Sequence, residues 1–192
     1  MSTSDGRRPF IVGLGGTVRP SSSSERALKK ALEAAEALGA TTQLFDGPFL
    51  AGLPIYNPSD PACEGANGFL AAVAACDGVI VSSPGYHGSI SGLVKNALDT
   101  LEGLREDRRP YFDGRAVGLI VAAEGWQATA STLAALRGIV HAMRGWPTPL
   151  GATLNSAGGL FDEADAFKDT RDAWQVNMVA QQVVDFANRW PN

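Results

Sequence analysis

A cluster of hydroxyl side chains and one arginine follows the first apolar segment of the chain. Residues 10–15 are apolar and end in glycine, which predicts a short buried strand. The loop from Gly16 to Ser24 then carries Thr17, Arg19 and a run of four serines. Hydroxyl groups, a guanidinium and the free N–H groups at the start of the next helix are all good donors to a phosphate group. The pattern therefore predicts a phosphate-binding loop, although one of the serines would be expected as an ordinary helix cap.

Two common nucleotide-binding motifs do not fit this loop. The segment that starts at Gly13 begins like the dinucleotide fingerprint G-x-G-x-x-G, but Val18 occupies the position of the last glycine. The candidate ribose-binding acid, Asp46, follows about thirty residues later instead of the roughly twenty that this fingerprint requires. No Gly-Lys-Ser/Thr ends the loop, as a Walker A motif would. The sequence thus disfavours a Rossmann NAD site and a P-loop.

A second loop follows the third predicted strand, at residues 78–83. Residues 84–89 read Pro-Gly-Tyr-His-Gly-Ser, and a helix with Lys95, Asn96 and Asp99 comes next. Together with Gly-Thr-Val-Arg-Pro-Ser-Ser at residues 16–22, this resembles the NAD(P)H-dependent FMN reductase family of the flavodoxin-like superfamily. That family carries a Gly-Ser-x-Arg-x-x-Ser loop, a Pro-x-Tyr-x-Gly-Ser loop and a Gly-x-x-Lys-Asn-x-x-Asp helix start. The resemblance covers roughly residues 10–157, with threonine in place of the family's first serine.

The resemblance implies which residues hold FMN. The phosphate would be bound by Thr17, Arg19, Ser22 and Ser24. The ribityl chain and the flavin ring would be lined by Pro84, Gly85, Tyr86, His87, Gly88 and Ser89. The loop after the fourth strand, with Glu124, Gly125 and Trp126, would reach the pyrimidine side or the edge of the ring. Glycines allow the close approach that a flat ring needs, and the two aromatic side chains offer ring contacts.

No residue is expected to act as a catalytic acid or base, because a flavin carries the chemistry itself. His87 is expected to contribute hydrogen bonds rather than a proton, and His141 to be structural. Lys95, Asn96 and Asp99 are expected to fix the helix and subunit contacts rather than to touch substrate. Neither Cys63 nor Cys76 has a partner at metal-ligand spacing, so no metal site is predicted and both are expected to be free thiols.

The elements that position these loops alternate between strands and helices. Strands are predicted at residues 10–15, 41–45, 78–83, 116–122 and 148–154, and helices at 25–38, 65–75, 91–104, 128–143 and 170–190. Residues 46–62 are expected to form a loop, and 156–169 a loop with a possible short helix. Such alternation predicts a parallel sheet with helices on both faces. The resemblance implies a flavodoxin-like three-layer α/β sandwich with five strands in the order 2-1-3-4-5.

The bulk properties suit one globular domain over residues 1–192, with residues 1–9 expected to be flexible. The chain has 45% hydrophobic and 19% charged residues and a net charge of −4, which gives no support to nucleic-acid binding. The sequence contains no apolar run long enough to span a membrane, and no apolar stretch follows its polar N-terminus. A cytoplasmic location is therefore expected. Two segments match no family motif: the charged connector 105–109, which could alter subunit packing or nicotinamide entry, and residues 158–168.

The resemblance implies an NAD(P)H-dependent flavin oxidoreductase, in which NADPH or NADH delivers hydride to N5 of FMN. The reduced flavin would pass to a flavin-dependent monooxygenase or to a small acceptor. Alternatively, FMN would stay bound and reduce quinones, azo or nitro compounds, or metal oxyanions. Two different classes of function stay open, a flavodoxin-type electron carrier and a non-catalytic flavin-binding regulator, and the arginine in the first loop argues against the carrier. Family members are usually dimers or tetramers, so a homodimer or homotetramer is expected.

Overall fold

The computed structural model describes residues 7–59 and 64–190, and it is organised around a parallel sheet. The strands are β1 Phe10–Gly15, β2 Thr41–Phe45, β3 Gly78–Tyr86, β4 Ser89–Ile90, β5 Ala116–Ala123 and β6 Trp146–Asn155. The long strands are parallel in the order β2-β1-β3-β5-β6, which confirms the predicted order of five parallel strands. The two-residue β4 is an addition that the sequence did not predict, and it pairs antiparallel with the end of β3.

Helices cover both faces of this sheet. They are α1 Ser23–Ala37, α2 Gly47–Gly52, α3 Asn67–Ala75, α4 Gly92–Thr100, α5 Trp126–Ala142 and α6 Thr170–Arg189, with 3-10 turns at Glu64–Ala66 and Leu101–Leu104. One apolar core joins α1 and α6 to the sheet, and the other joins α3, α4 and α5 to its opposite face. Within the described ranges, no helix combines the length and apolar character needed to cross a bilayer.

The central strands are apolar along their whole length because both of their faces are covered. Every residue of β5 is buried. Side chains alternate between the two faces of a strand, so Ile80 of β3 packs toward α1 and α6, whereas Val79 and Val81 pack toward the other helices. The continuous apolar pattern that predicted β3 and β5 is therefore the signature of a doubly covered parallel sheet.

Three local features differ from the prediction. The segment 46–62 contains helix α2, where the Asp46 side chain accepts a hydrogen bond from Phe49 N at 3.0 Å and so caps the helix. Strand β3 runs three residues past Ser83, to Tyr86, because the last two residues pair with β4. Residues 156–169 contain an isolated β-bridge between Phe161 and Phe167 in place of the suggested short helix.

The charged connector lies at the amino edge of the sheet, opposite the loops that were predicted to bind the cofactor. Arg109 donates to the carbonyls of Ala74 and Cys76, at 3.0 Å each, just before β3 begins. The fully buried Arg115 donates to the same two carbonyls, at 2.6 Å and 3.1 Å. Carbonyls at a helix end attract a cation, and these belong to the end of α3. Arg109 therefore holds the connector against the end of α3.

The beginning of the described chain is also attached to this amino edge. Arg7 forms an ion pair with Asp77, and Arg8 Nε donates to the carbonyl of Gly39 at 3.0 Å. Residues 1–6, the larger part of the segment expected to be flexible, lie outside the described residues, as does Cys63. Cys76 is buried, and its Sγ donates to the carbonyl of Val73 at 3.2 Å.

Candidate functional site

A cavity of about 420 Å³ opens at the carboxyl ends of β1, β3 and β5. This is the edge where ligands bind in open α/β sheets. Its wall brings together both loops that the sequence singled out and the loop after β5. The lining residues are Thr17, Arg19, Ser22, Ser23, Ser24, Pro84, Gly85, Tyr86, His87, Ala122, Ala123, Glu124, Ala128 and Ser156.

Two glycines allow the first loop to leave β1 directly against β3. Gly15 and Gly16 have φ angles of +152° and +107°. A Cβ on Gly15 would lie 2.9 Å from the carbonyl carbon of Ser82 and still closer to its oxygen. Gly16 N donates to that same carbonyl at 3.3 Å. The loop therefore follows the neighbouring strand so closely that only glycine fits at its start.

Two hydroxyl groups of this loop are engaged with the local backbone. Thr17 Oγ1 accepts a hydrogen bond from Arg19 N at 3.0 Å, which closes a tight turn. Ser22 is the N-cap of α1, and its Oγ accepts from Glu25 N at 3.3 Å. The ordinary capping role thus holds for Ser22. Thr17 Oγ1 also donates to the carbonyl of Arg19 at 3.3 Å, and Ser22 Oγ lies 3.4 Å from Ser24 Oγ, so a ligand would compete with these local hydrogen bonds. Both residues line the cavity.

The remaining donors of the loop make fewer hydrogen bonds within the protein. Ser23 and Ser24 begin α1, so their backbone N–H groups have no acceptor within the helix. The carbonyl of Ser24 accepts from Ser82 Oγ at 2.8 Å, which fixes the helix start onto β3. The Arg19 side chain is exposed and makes no hydrogen bond or ion pair with any described residue. Hydroxyls, helix N–H groups and one available guanidinium make this end of the cavity suited to a phosphate.

The second wall is a tight hairpin between β3 and β4. Tyr86 pairs with Ser89, and the two residues between them, His87 and Gly88, have φ angles of +49° and +85°. Two consecutive positive φ angles are typical of a type I′ turn, whose twist matches that of a hairpin. The hairpin leaves Tyr86 52% exposed at the rim. A glycine in the second position, as at Gly88, is typical of this turn, which the sequence analysis had treated only as a loop.

The hairpin is held close to β5 and α5 by Gly85. A Cβ on Gly85 would lie 2.9 Å from both Ala123 Cβ and Thr132 Oγ1. Thr132 Oγ1 in turn donates to the carbonyl of Ser89 at 3.3 Å. The glycine was predicted to allow a close approach of ligand to backbone. The structure adds that it allows a close approach between protein elements.

The third wall is the start of α5. Gly125 is its N-cap, with a φ of +134° and no side-chain hydrogen bond to the helix. The first N–H groups of this helix are consequently available near Ala128, which lines the cavity. Ser156 completes the wall from the end of β6, and its N–H donates to the carbonyl of Ala123 at 2.9 Å. Helix α5 thus presents a second set of backbone donors, across the cavity from α1.

Most of the predicted site residues line the cavity, but four do not. Gly88, Ser89, Gly125 and Trp126 lie next in the chain to wall residues, at the hairpin turn and the start of α5. Their contact with a cofactor stays a prediction, as does cofactor binding by the others. The wall also contains Ser23, from the first predicted loop, and Ala123, from the loop predicted after the fourth strand, together with three residues that the sequence did not indicate, Ala122, Ala128 and Ser156.

The motif residues of the helix after the second loop, Lys95, Asn96 and Asp99, make contacts within the protein. Asn96 Oδ1 accepts from Tyr56 N at 2.8 Å, and Asn96 Nδ2 donates to the carbonyl of Pro54 at 3.0 Å. Lys95 pairs with Asp99 one turn along α4, at 2.7 Å. None of the three motif residues lines the cavity. Asn96 thus fastens the segment after α2 onto α4, in agreement with the expected structural role.

The segment 158–168, which matched no motif, packs against α1. Arg26 forms an ion pair with Asp165, and its guanidinium lies 4.1 Å from the centroid of the Phe161 ring. Phe161 and Phe167 have ring centroids 4.5 Å apart. The hydrogen bond from Arg26 lowers the pKa of Asp165 below its usual value. This segment is therefore anchored to α1, the helix whose first residues line the cavity.

The cavity offers binding groups rather than a catalytic constellation. Within residues 7–59 and 64–190, no group of three His, Cys, Asp or Glu side chains is placed to hold a metal ion. His87 is the histidine in the wall, whereas His141 is exposed in the last turn of α5. An end suited to a phosphate, joined to a slot beside Gly85 and the start of α5, fits a phosphate-bearing cofactor with a flat ring.

Comparison with known proteins identifies the family of the chain. The family model described as NADPH-dependent FMN reductase matches residues 9–158. An FMN-dependent NADPH-azoreductase of Staphylococcus aureus is 31% identical over 119 residues, which make up 61% of this chain and 60% of that protein. The chain thus aligns with about 60% of the length of this curated relative.

Two solved structures share the fold. A flavoenzyme NAD(P)H:(acceptor) oxidoreductase from Paracoccus denitrificans has a TM-score of 0.74 at 19% identity, covering 95% of this chain and 98% of that one. An NADH:FMN oxidoreductase in its apo form has a TM-score of 0.70 at 20% identity, covering 96% and 91%. These likenesses confirm the flavodoxin-like fold. The family match, by itself, agrees with FMN as the cofactor and NADPH as its donor.

The match to the family model spans most of the chain and includes both loops of the cavity wall. The chain belongs to the NADPH-dependent FMN reductase family.

Proposed function

We propose that the cavity binds FMN and that the protein is an NAD(P)H-dependent flavin oxidoreductase. The observation that carries this proposal is the junction, in one cavity of about 420 Å³, of a loop rich in phosphate donors with a slot beside Gly85 and the start of α5. A volume of this size is within the range of small-molecule and cofactor sites. Family membership supplies the identity of the cofactor.

The phosphate end would be formed by the loop between β1 and α1. Arg19 would supply the positive charge, and the Thr17, Ser22 and Ser24 hydroxyls would supply neutral donors. The backbone N–H groups of Ser23 and Ser24 would add the favourable electrostatics of a helix start. Because Gly15 and Gly16 hold this loop against β3, the donors are in place before the ligand arrives.

The ring end would be formed by the hairpin and the start of α5. Bound FMN supplies the hydride-accepting and electron-donating chemistry. The backbone of Gly85 and the open N–H groups of α5 would orient the polar edge of the ring and favour negative charge on it. Tyr86 and Trp126 are 52% and 60% exposed beside this slot, so their rings can contact the flavin from its solvent side.

The protein would contribute position rather than acid–base chemistry. No described wall residue forms a nucleophile–base pair, and His87 would bind through hydrogen bonds. We therefore propose that the nicotinamide and the electron acceptor use the open side of the cavity, where the chain holds them close to the flavin.

We propose a small organic molecule as the electron acceptor, because the curated relative is named an FMN-dependent NADPH-azoreductase. Quinones, azo and nitro compounds are the candidates, with metal oxyanions and a flavin-dependent monooxygenase as alternatives. A homodimer or homotetramer in the cytoplasm is the proposed setting.

Steady-state NADPH oxidation by the purified protein, after removal of any bound flavin, tests this proposal. The rate should depend on FMN and should increase when an azo dye or a quinone is added. A matched control uses riboflavin in place of FMN, which lacks the phosphate that the first loop would bind. Equal rates with and without flavin, or no NADPH oxidation at any FMN concentration, would contradict the proposal.

A further inference from the structure

The start of helix α2 contacts the backbone of the first loop, residues 16–24 (the phosphate loop), at Gly16 and Thr17. Gly47, the first residue of α2, is buried, and a Cβ on it would lie 2.5 Å from the carbonyl carbon of Thr17 and 2.9 Å from its nitrogen. A Cβ on Gly16 would lie 3.1 Å from Gly47 N. All three distances involve main-chain atoms, which cannot swing aside as a flexible side chain can. The phosphate loop therefore rests directly on the backbone of α2.

Helix α2 cannot easily move away from this contact. Its Leu50 is fully buried in the core beneath the sheet, and the rings of Phe45 and Phe49 have centroids 4.8 Å apart. The Asp46 side chain fixes the first turn through its hydrogen bond from Phe49 N. A close-packed core resists displacement, so a larger residue at position 47 would push the loop rather than the helix.

The part of the loop that would be pushed carries the donors. Thr17 is 6% exposed and lines the cavity, and its Oγ1 accepts from Arg19 N. A displacement of the Thr17 backbone would consequently move both the Thr17 hydroxyl and the turn that carries Arg19.

We propose that Gly47 is a positioning residue for the cofactor's phosphate: its lack of a side chain seats Thr17 and Arg19 at the distance the phosphate requires. This inference rests on the proposed function. Gly47 does not line the cavity, and its effect passes through the Thr17 backbone.

The test compares FMN with riboflavin, which has the same ring but no phosphate. The affinity of the apoprotein for each ligand is measured by quenching of flavin fluorescence for the wild type, Gly47→Ala and Gly52→Ala. Gly52 is the matched control, because it ends the same helix, is exposed and has no atom within 4 Å of its Cβ position. Gly47→Ala should weaken FMN binding about tenfold, comparable to the loss of one charge-assisted hydrogen bond, and leave riboflavin binding unchanged. Gly52→Ala should change neither.

A folded Gly47→Ala protein that keeps the wild-type preference for FMN over riboflavin would overturn the inference. Equal weakening of both ligands would also overturn it, because that result indicates general damage. If Gly47→Ala does not fold, Asp46→Ala takes its place, with Asp46→Asn as the variant that keeps the cap. Loosening the first turn of α2 should then reduce the FMN preference, and an unchanged preference would refute the positioning role.

The Arg19→Ala variant separates this inference from the proposed function. If Arg19→Ala loses the FMN preference and Gly47→Ala keeps it, the phosphate site stands and only the role of Gly47 fails. If the wild type itself does not prefer FMN to riboflavin, the phosphate site is wrong.

Discussion

Replacing Arg19 by alanine removes the only charge that the first loop offers to a phosphate. The change should leave the loop intact, because Thr17 Oγ1 accepts from the backbone N of Arg19 and not from its side chain. No described residue loses an ion pair, since the guanidinium has none to lose. The loss of affinity for FMN therefore reports the contact with the phosphate.

The expected loss follows from the exposure of this side chain. A hydrogen bond to a charged group contributes about 1.5–3 kcal/mol, and solvent screening places the exposed Arg19 near the lower value. About 1.5 kcal/mol corresponds to roughly a tenfold weaker dissociation constant. The contribution should also shrink as salt is added, because exposed charges are screened within about 10 Å at 0.1 M ionic strength.

Fluorescence titration with FMN at low and high salt measures this effect. Arg19→Lys should retain part of the affinity, because it keeps the charge and loses the planar fork. Arg108→Ala removes an exposed arginine at the amino edge of the sheet and serves as the matched control. An Arg19→Ala protein that binds FMN as tightly as the wild type would refute the assignment of the phosphate loop.

Three further predictions concern the framework. Arg115→Met should lower the free energy of unfolding in urea by about 2–3 kcal/mol, because the buried guanidinium donates to the carbonyls of Ala74, Cys76 and Tyr111, and Arg109 remains as a donor only to the first two. A loss under about 1 kcal/mol would contradict this reasoning. Burial raises the pKa of the Cys76 thiol to about 11. In a Cys63→Ser variant, a thiol reagent at about pH 8 should therefore label Cys76 only when the protein unfolds. Rapid labelling of the folded protein would disprove this. The pKa of Asp165 is lowered by Arg26, so this contact's stabilisation is complete above the ordinary aspartate pKa of about 3.9 and is lost as the pH falls through the lowered value. The backbone amide hydrogen-exchange rate of residues 158–168, corrected for intrinsic rates, should therefore rise in acid for the wild type but not for Asp165→Asn. Identical pH profiles for the two proteins would argue against this contact.

The sequence predicted all five parallel strands, including β1 and β2 with the bounds that the structure shows. β3 and β5 are covered on both faces, so their composition alone identifies them. Helix α2 was missed because it has six residues and a proline at its start, in a segment with several other prolines. Its stability comes from the packing of Leu50 and the Asp46 cap, and packing partners distant in sequence are invisible to a local pattern.

The cavity shows the same division between local and distant information. Thr17 and Arg19 follow a strand in a recognisable motif, and the structure places both in the wall. Ser156 carries no motif, and it reaches the wall because β6 pairs beside β5. Gly47 likewise has no local signal, since its importance depends on the backbone of Thr17 about thirty residues earlier. Motifs thus identified the loops that line the cavity, whereas the residues that support these loops from behind required the three-dimensional structure.

Anaerobic mixing of the FMN-loaded protein with NADPH tests the central claim most directly. The visible absorbance of the oxidised flavin should disappear rapidly and return when oxygen or an azo dye is admitted. A flavin that binds tightly, yet keeps its oxidised spectrum in the presence of excess NADPH, would contradict the proposed oxidoreductase and favour a carrier that receives electrons from another source.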